Sequence, residues 1–119
     1  MQTTGSVATG NRGETIAMQH FKKLGFEILE MNYRFRHGEI DIIARDGETL
    51  VFCEVKMRLG DQFGDPEYAI TQKKQRQIRK TAEGYLYEHE LHQQDCRFDV
   101  VAIRMSRGAF DINYIRNAF

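Results

Sequence analysis

Two runs of strand-forming residues flank one turn: Gly38-Glu39-Ile40-Asp41-Ile42-Ile43-Ala44-Arg45 and Leu50-Val51-Phe52-Cys53-Glu54-Val55-Lys56, joined through Asp46-Gly47. Asp-Gly between two β-branched runs is a strong hairpin signal. The constraint lies in where the charges fall. Alternate side chains of a strand share a face, so Asp41 goes with Glu39 and Ile43, and Glu54 with Phe52 and Lys56. A four-residue loop, Asp46 to Thr49, sets Arg45 opposite Leu50 and Asp41 opposite Glu54. A two-residue loop sets Asp41 opposite Phe52, one pair away on the same face. Either register gathers Asp41, Glu54 and Lys56 on one side. Ile40, Ile42, Val51, Cys53 and Val55 make the other side apolar, while Phe52 and Ile43 leave even the charged side partly buried. The hairpin therefore belongs inside a sheet covered on both faces, where charges need a reason.

Directly opposed carboxylates repel and weaken a sheet. A cation between them reverses the sign. Mg²⁺, with Mn²⁺ as an alternative, suits two acids, because it completes its octahedron with water and substrate phosphate. Lys56 beside the ion is placed to stabilise charge on a phosphate or to orient the attacking water. The blander reading is a solvated sheet face with Lys56 paired to Glu54; coverage on both faces argues against it.

The remaining elements follow from periodicity. A first helix is expected over Gly13 to Leu24, with Ala17, Phe21 and Leu24 on one face. A strand follows over Phe26 to Tyr33, then the hairpin strands Gly38–Arg45 and Leu50–Arg58. After a glycine-containing loop comes a second helix, Thr71 to His89, with Ile78, Ala82, Tyr85 and Leu86 as its stripe. Strands over Arg97–Met105 and Phe110–Ile115 close the chain around Arg107-Gly108. The order α-β-β-β-α-β-β predicts an α/β fold: a mixed sheet of about five strands flanked by two main helices. At 119 residues this is one domain over 13–119, preceded by a flexible segment over 1–12.

Two further elements bear on the site. Asn11-x-x-Glu14 fits a capping box, yet Glu14 also precedes Ala17 and Phe21 on the sheet-facing side, where it can supply a third acid. Both readings stand. The second helix carries Lys73, Lys74, Arg76, Arg79 and Lys80. Lys73, Arg76 and Lys80 lie opposite the apolar stripe, as a solvated or phosphate-contacting face. Lys74 precedes Ile78 by four residues and so points toward the buried side, into the site or at a phosphate.

The 17 basic and 17 acidic residues balance, which argues against a generic DNA coater but not against an enzyme with its own acids. Cys53 and Cys96 are too few for a disulfide framework and lack zinc-site spacing; Cys53 falls on the core face. His20, His37, His89 and His92 form no metal motif. With no leader pattern and no apolar run of about 20 residues, a cytoplasmic protein with no membrane association is expected.

These residues resemble the PD-(D/E)XK nuclease superfamily, with a restriction-endonuclease-like core, an acid on the second strand and Glu-x-Lys on the third: here Asp41 and Glu54-Val55-Lys56, with Glu14 matching the helix-one acid of many members. More narrowly the chain is similar to the YraN family of small bacterial proteins, akin in fold to archaeal Holliday-junction resolvases. That likeness runs through Gly13-Glu14, Leu24-Gly25-Phe26, Asn32-Tyr33-Arg34, Gly38 to Ile43, Val51 to Lys56, Lys74, and Cys96 to Val101. Ile40 stands where proline often precedes the strand-two acid, and Cys53 replaces an aliphatic residue; neither removes a chemical group. The resemblance implies a Mg²⁺-dependent endonuclease acting on structured or branched DNA, with Asp41, Glu54 and the Val55 carbonyl holding metal, Glu14 completing the shell and Lys56 assisting. It also implies a homodimer, since a resolvase needs two sites. The alternative is a non-catalytic nucleic-acid-binding module of nuclease-like fold, acting in DNA repair or processing.

Overall fold

The computed structural model describes residues 5–60 and 69–119, with the backbone alone for 5–11. Its elements are α1 (Gly5–Lys23), β1 (Glu27–Phe35), β2 (Gly38–Asp46), β3 (Thr49–Leu59), α2 (Gln72–Glu88), β4 (Cys96–Ser106) and β5 (Ala109–Ile115). The sheet order is β1-β2-β3-β4-β5. The β3–β4 pair is parallel and the others antiparallel. Parallel neighbours need a long crossover, and α2 supplies it. The α/β class, the mixed sheet and the element order are those expected of a nuclease-like core.

Each face of the sheet has its own core. Ala17, Phe21 and Phe26 pack on Ile42, Ala44, Val51, Cys53, Val101 and Ile103. On the other face Ile78, Ala82 and Tyr85 of α2 pack on Ile40, Ile43, Leu50 and Phe52. The central strands are thus covered twice, as their sequence demands. A buried polar network ties the far strands together. Asp99, fully buried, accepts from Arg97 Nε (3.0 Å), the Tyr114 hydroxyl (2.5 Å) and the Asn117 amide (3.0 Å), while Arg97 Nη1 also reaches Asp46 (2.8 Å).

Several expectations need correction. The first helix starts at Gly5 rather than Gly13, so Asn11 lies within it and the capping box falls. Glycine is a poor helix former, but Gly13 serves packing: a Cβ there would stand 3.2 Å from Met57 Sδ on β3. Of the flexible segment expected over 1–12, residues 1–4 lie outside the described residues and the rest is helical backbone. Leu24, expected on the buried face, is 44% exposed beyond the helix end. Ile40, expected to share the face of Ile42, packs instead with Ile43 under α2. The loop expected before α2 falls largely on residues 61–68, outside the described ones.

The Ile40 difference has its cause in the pairing with β1. Met31 pairs with Ile42, and Tyr33 with Ile40; Met31 and Ile42 face α1, whereas Tyr33 and Ile40 face α2. Both strands therefore change face between these pairs, at Asn32 and Asp41. Asn32 has φ +54°, a left-handed conformation that asparagine tolerates better than most residues. Among the described residues, no helix is long and apolar enough to cross a membrane.

Candidate functional site

The hairpin pairs Asp46 with Thr49 and Arg45 with Leu50, through to Ile42 with Cys53, the register of the four-residue reading. Beyond that pair, the Val55 amide donates to Asp41 Oδ2 (2.8 Å). A side chain thus takes an amide near the point where Asp41 turns out of the regular alternation. Glu54 lies beside it, close enough for the two carboxyl groups to shift each other's titration.

The electrostatics follow from burial. Glu54 is pushed up from an ordinary 4.5 to about 8, by burial first and by the Asp41 charge second, with Lys74 opposing. Asp41 is also raised by burial, against the stabilising Val55 amide and the Glu54 hydrogen bond. Burial and mutual repulsion therefore both favour a protonated pair over two free carboxylates. Two carboxyl groups whose charges are opposed by burial and by each other have the chemistry of a divalent-cation site, since a cation removes the same repulsion.

Both helices reach this point. From α2, Lys74 Nζ lies 3.7 Å from Glu54 Oε2, and Thr71, the helix N-cap, accepts the Lys74 amide (3.1 Å). The placement read from the helix stripe therefore holds. From α1, half-buried Glu14 is raised by burial first, partly offset by a hydrogen bond from Asn32, and then by the charges of Asp41 and Glu39. It stands on the sheet-facing side of α1. Lys56 lies on the α2 side of β3, but its amine donates to the Ala69 carbonyl (2.7 Å), so Lys74 is the lysine paired with Glu54. Lys73, Arg76 and Lys80 are exposed on α2. Cys53 is buried in the α1-side core and Cys96 is free.

Two participants escape sequence reading. Asn32 holds Glu14 and sits where β1 changes face; an asparagine inside a strand-forming run was the available signal. Ala69 acts through its carbonyl, which every residue has, so no signal existed. Among the described residues, no three His, Cys, Asp or Glu side chains converge as a ready-made metal cage. Magnesium asks less, taking one or two carboxylates and filling the remainder with water and phosphate. Asp41 and Glu54 fit that demand.

Comparison with known proteins places the chain. Residues 13–103 match the model of the uncharacterised protein family UPF0102. A UPF0102 protein of Syntrophus aciditrophicus is 45% identical over 116 residues, covering 98% of this chain and 91% of its own length. One from Geotalea daltonii is 50% identical over 111 residues, 92% of this chain and 87% of the relative. One from Caldicellulosiruptor saccharolyticus is 46% identical over 112 residues, 92% of this chain and 95% of the relative. The family model takes in α1 from Gly13, the β2–β3 hairpin with both acids, Lys74 and most of β4, and on these matches the chain belongs to UPF0102, the YraN family.

Proposed function

We propose that the protein is a Mg²⁺-dependent endonuclease that hydrolyses phosphodiester bonds in structured or branched DNA. The observation that carries this reading is the meeting of Asp41 and Glu54, from two strands, beside Lys74. Asp41, Glu54 and the Val55 carbonyl would hold the ion, with Glu14 behind Asp41. Once bound, magnesium would supply Lewis-acid polarisation of the phosphoryl oxygen and activation of water.

The chain's own groups define the rest. The Val55 amide fixes one Asp41 oxygen and leaves the other directed at Glu54 or the ion. Lys74, partly exposed beside Glu54, exchanges its carboxylate for a phosphate oxygen and holds negative charge there as it develops. Lys56, now on the Ala69 carbonyl, orients the attacking water after leaving that carbonyl. The surrounding cores exclude bulk water from one side of the carboxylate pair, which strengthens each of these interactions.

The test is Mg²⁺ calorimetry on the wild type and on Asp41→Ala/Glu54→Ala, followed by cleavage of branched, flapped and single-stranded DNA. Magnesium uptake lost in the double variant, with cleavage lost in Asp41→Ala and in Lys56→Ala, is expected. Cleavage unchanged by either single substitution sinks the reading. Exposed Lys73, Arg76 and Lys80 favour one rival, a non-catalytic binding module, for which binding in EDTA matches binding in Mg²⁺ and no substrate is cut.

A further inference from the structure

A cleft of about 980 Å³ runs beside α2, away from the carboxylates. One wall is the β1–β2 turn, with Phe35, Arg36 and His37; the other is the flank of α2, with Lys80, Gly84 and Tyr87. The walls are joined firmly. Gln77 Nε2 donates to the His37 carbonyl (3.0 Å), and the Phe35 ring fills the space that a side chain at position 84 would need. Thr81 meets Gly38 in the same close way.

The surface of this cleft is unusual in one respect. Tyr87 is 80% exposed, a large aromatic face with no burial to account for it. At 100° per residue, Lys73, Arg76, Lys80 and Tyr87 fall within about 60° of one another around the helix. Lys80 and Tyr87 line the cleft, Lys73 and Arg76 continue the same flank of the helix outside it, and Arg36 and His37 are exposed across the cleft. Of the acids in the lining, Glu88 accepts the Tyr33 hydroxyl, and Glu83 is exposed on the same flank between Lys80 and Tyr87. At its other end α2 begins with Lys74, the lysine paired with Glu54. Lys74 and Tyr87 are 13 residues apart, about 20 Å along the helix axis.

We propose that this cleft binds a single-stranded segment of nucleic acid, its phosphates running along Lys73, Arg76, Lys80 and Arg36 and one base stacked on Tyr87. Cations that track a backbone and an aromatic platform for bases are what single-strand sites combine. A duplex offers the same phosphates, but its bases are already stacked and cannot use the tyrosine face. The proposal rests on the hydrolase reading only for the place of the scissile phosphate at the Lys74 end; it makes the substrate one with an unpaired arm.

The experiment is fluorescence anisotropy of a labelled twelve-nucleotide oligothymidylate with the full chain in EDTA. Blunt duplex and polyglutamate serve as competitors, and an oligouridylate arm tells which sugar is accepted. Tyr87→Ala is expected to weaken binding about fivefold or more. Lys80→Glu is expected to flatten the dependence of log K on log salt by about 0.7 or more. Both residues are exposed, and far-ultraviolet circular dichroism checks that the variants fold; Arg36→Ala probes the opposite wall independently. Wild-type affinity in all three variants overturns the proposal, as does duplex or polyglutamate displacing the strand as readily as unlabelled oligothymidylate. The wild-type magnesium titration separates the two readings. Uptake of magnesium with oligonucleotide binding insensitive to these substitutions removes the cleft and keeps the hydrolase. Sensitive binding without magnesium uptake keeps the cleft and removes the hydrolase.

Discussion

Replacing Glu54 by glutamine should make the metal-free protein more stable at pH 8 while removing a ligand of the proposed magnesium site. In the folded state Glu54 is raised from 4.5 to about 8 by burial and by Asp41; unfolded, it returns to the ordinary value. Between those two pH values the folded chain holds a proton that the unfolded chain has lost. Stability from this group is therefore full below about pH 4.5 and is lost as pH rises through about 8. At about 1.4 kcal/mol for each pH unit, the loss between pH 5 and pH 8 is on the order of 3 kcal/mol. Asp41 and Glu14 are raised in the same direction. Urea unfolding in EDTA at pH 5, 6.5 and 8 reads the effect directly. The wild type should lose stability steadily across the series, and Glu54→Gln, which has no proton to lose there, should lose much less. At pH 8 the variant should be the more stable protein in EDTA, and millimolar Mg²⁺ should reverse the order by stabilising the wild type alone. Wild-type stability that is flat or rising from pH 5 to pH 8, or an equal slope in the variant, refutes the electrostatic account of the site.

Three further outcomes follow from packing and charge. Asp99→Ala removes the fully buried acceptor of Arg97, Tyr114 and Asn117 and should cost about 3–5 kcal/mol, against about 1–2 kcal/mol for Tyr114→Phe; equal midpoints in urea denaturation contradict this. Gly38→Ala drives a Cβ into Thr81 and should cost about 1–3 kcal/mol, with part of the loss recovered in Gly38→Ala/Thr81→Ala, as a double-mutant cycle will show. Lys74→Ala should lower cleavage by about 10²-fold or more with the fold intact; undiminished turnover of a branched substrate rules out its phosphate-holding role.

What could be read from the sequence depended on whether the deciding contact was local. The β2–β3 register was legible because a turn at Asp46-Gly47 and a period of two leave few alternatives, and the observed pairing of Arg45 with Leu50 follows. Lys74 was legible for a similar reason: a period of 3.6 anchored on Ile78 and Ala82 leaves it on the buried side. Gly13 misled because its poor helix propensity is local, whereas its reason, room for Met57, is tertiary. Ile40 misled because alternation assumes a strand that does not change face, and the left-handed Asn32 lies on a different strand. The Lys56 partner was out of reach, since the Ala69 carbonyl is brought there by the approach to α2.

The two sides of β3 differ in a way that bears on how the site moves. Along one side, ten consecutive pairs, Leu50 with Cys96 through Leu59 with Met105, bind it to β4. Along the other, pairing with β2 runs only to Cys53, and a carboxylate then takes the Val55 amide. Glu54 and Lys56 thus ride on a fixed jaw, and Asp41 on a hairpin whose grip at this end includes one side-chain bond. In a hydrogen-exchange experiment the β4 amides facing β3 should exchange slowly in all conditions, whereas the Val55 amide should report the site, fast when Asp41 lets go and slow when it holds. The strand that carries Asp41 also begins at the cleft wall, where Gln77 holds the His37 carbonyl, so the two places share one strand.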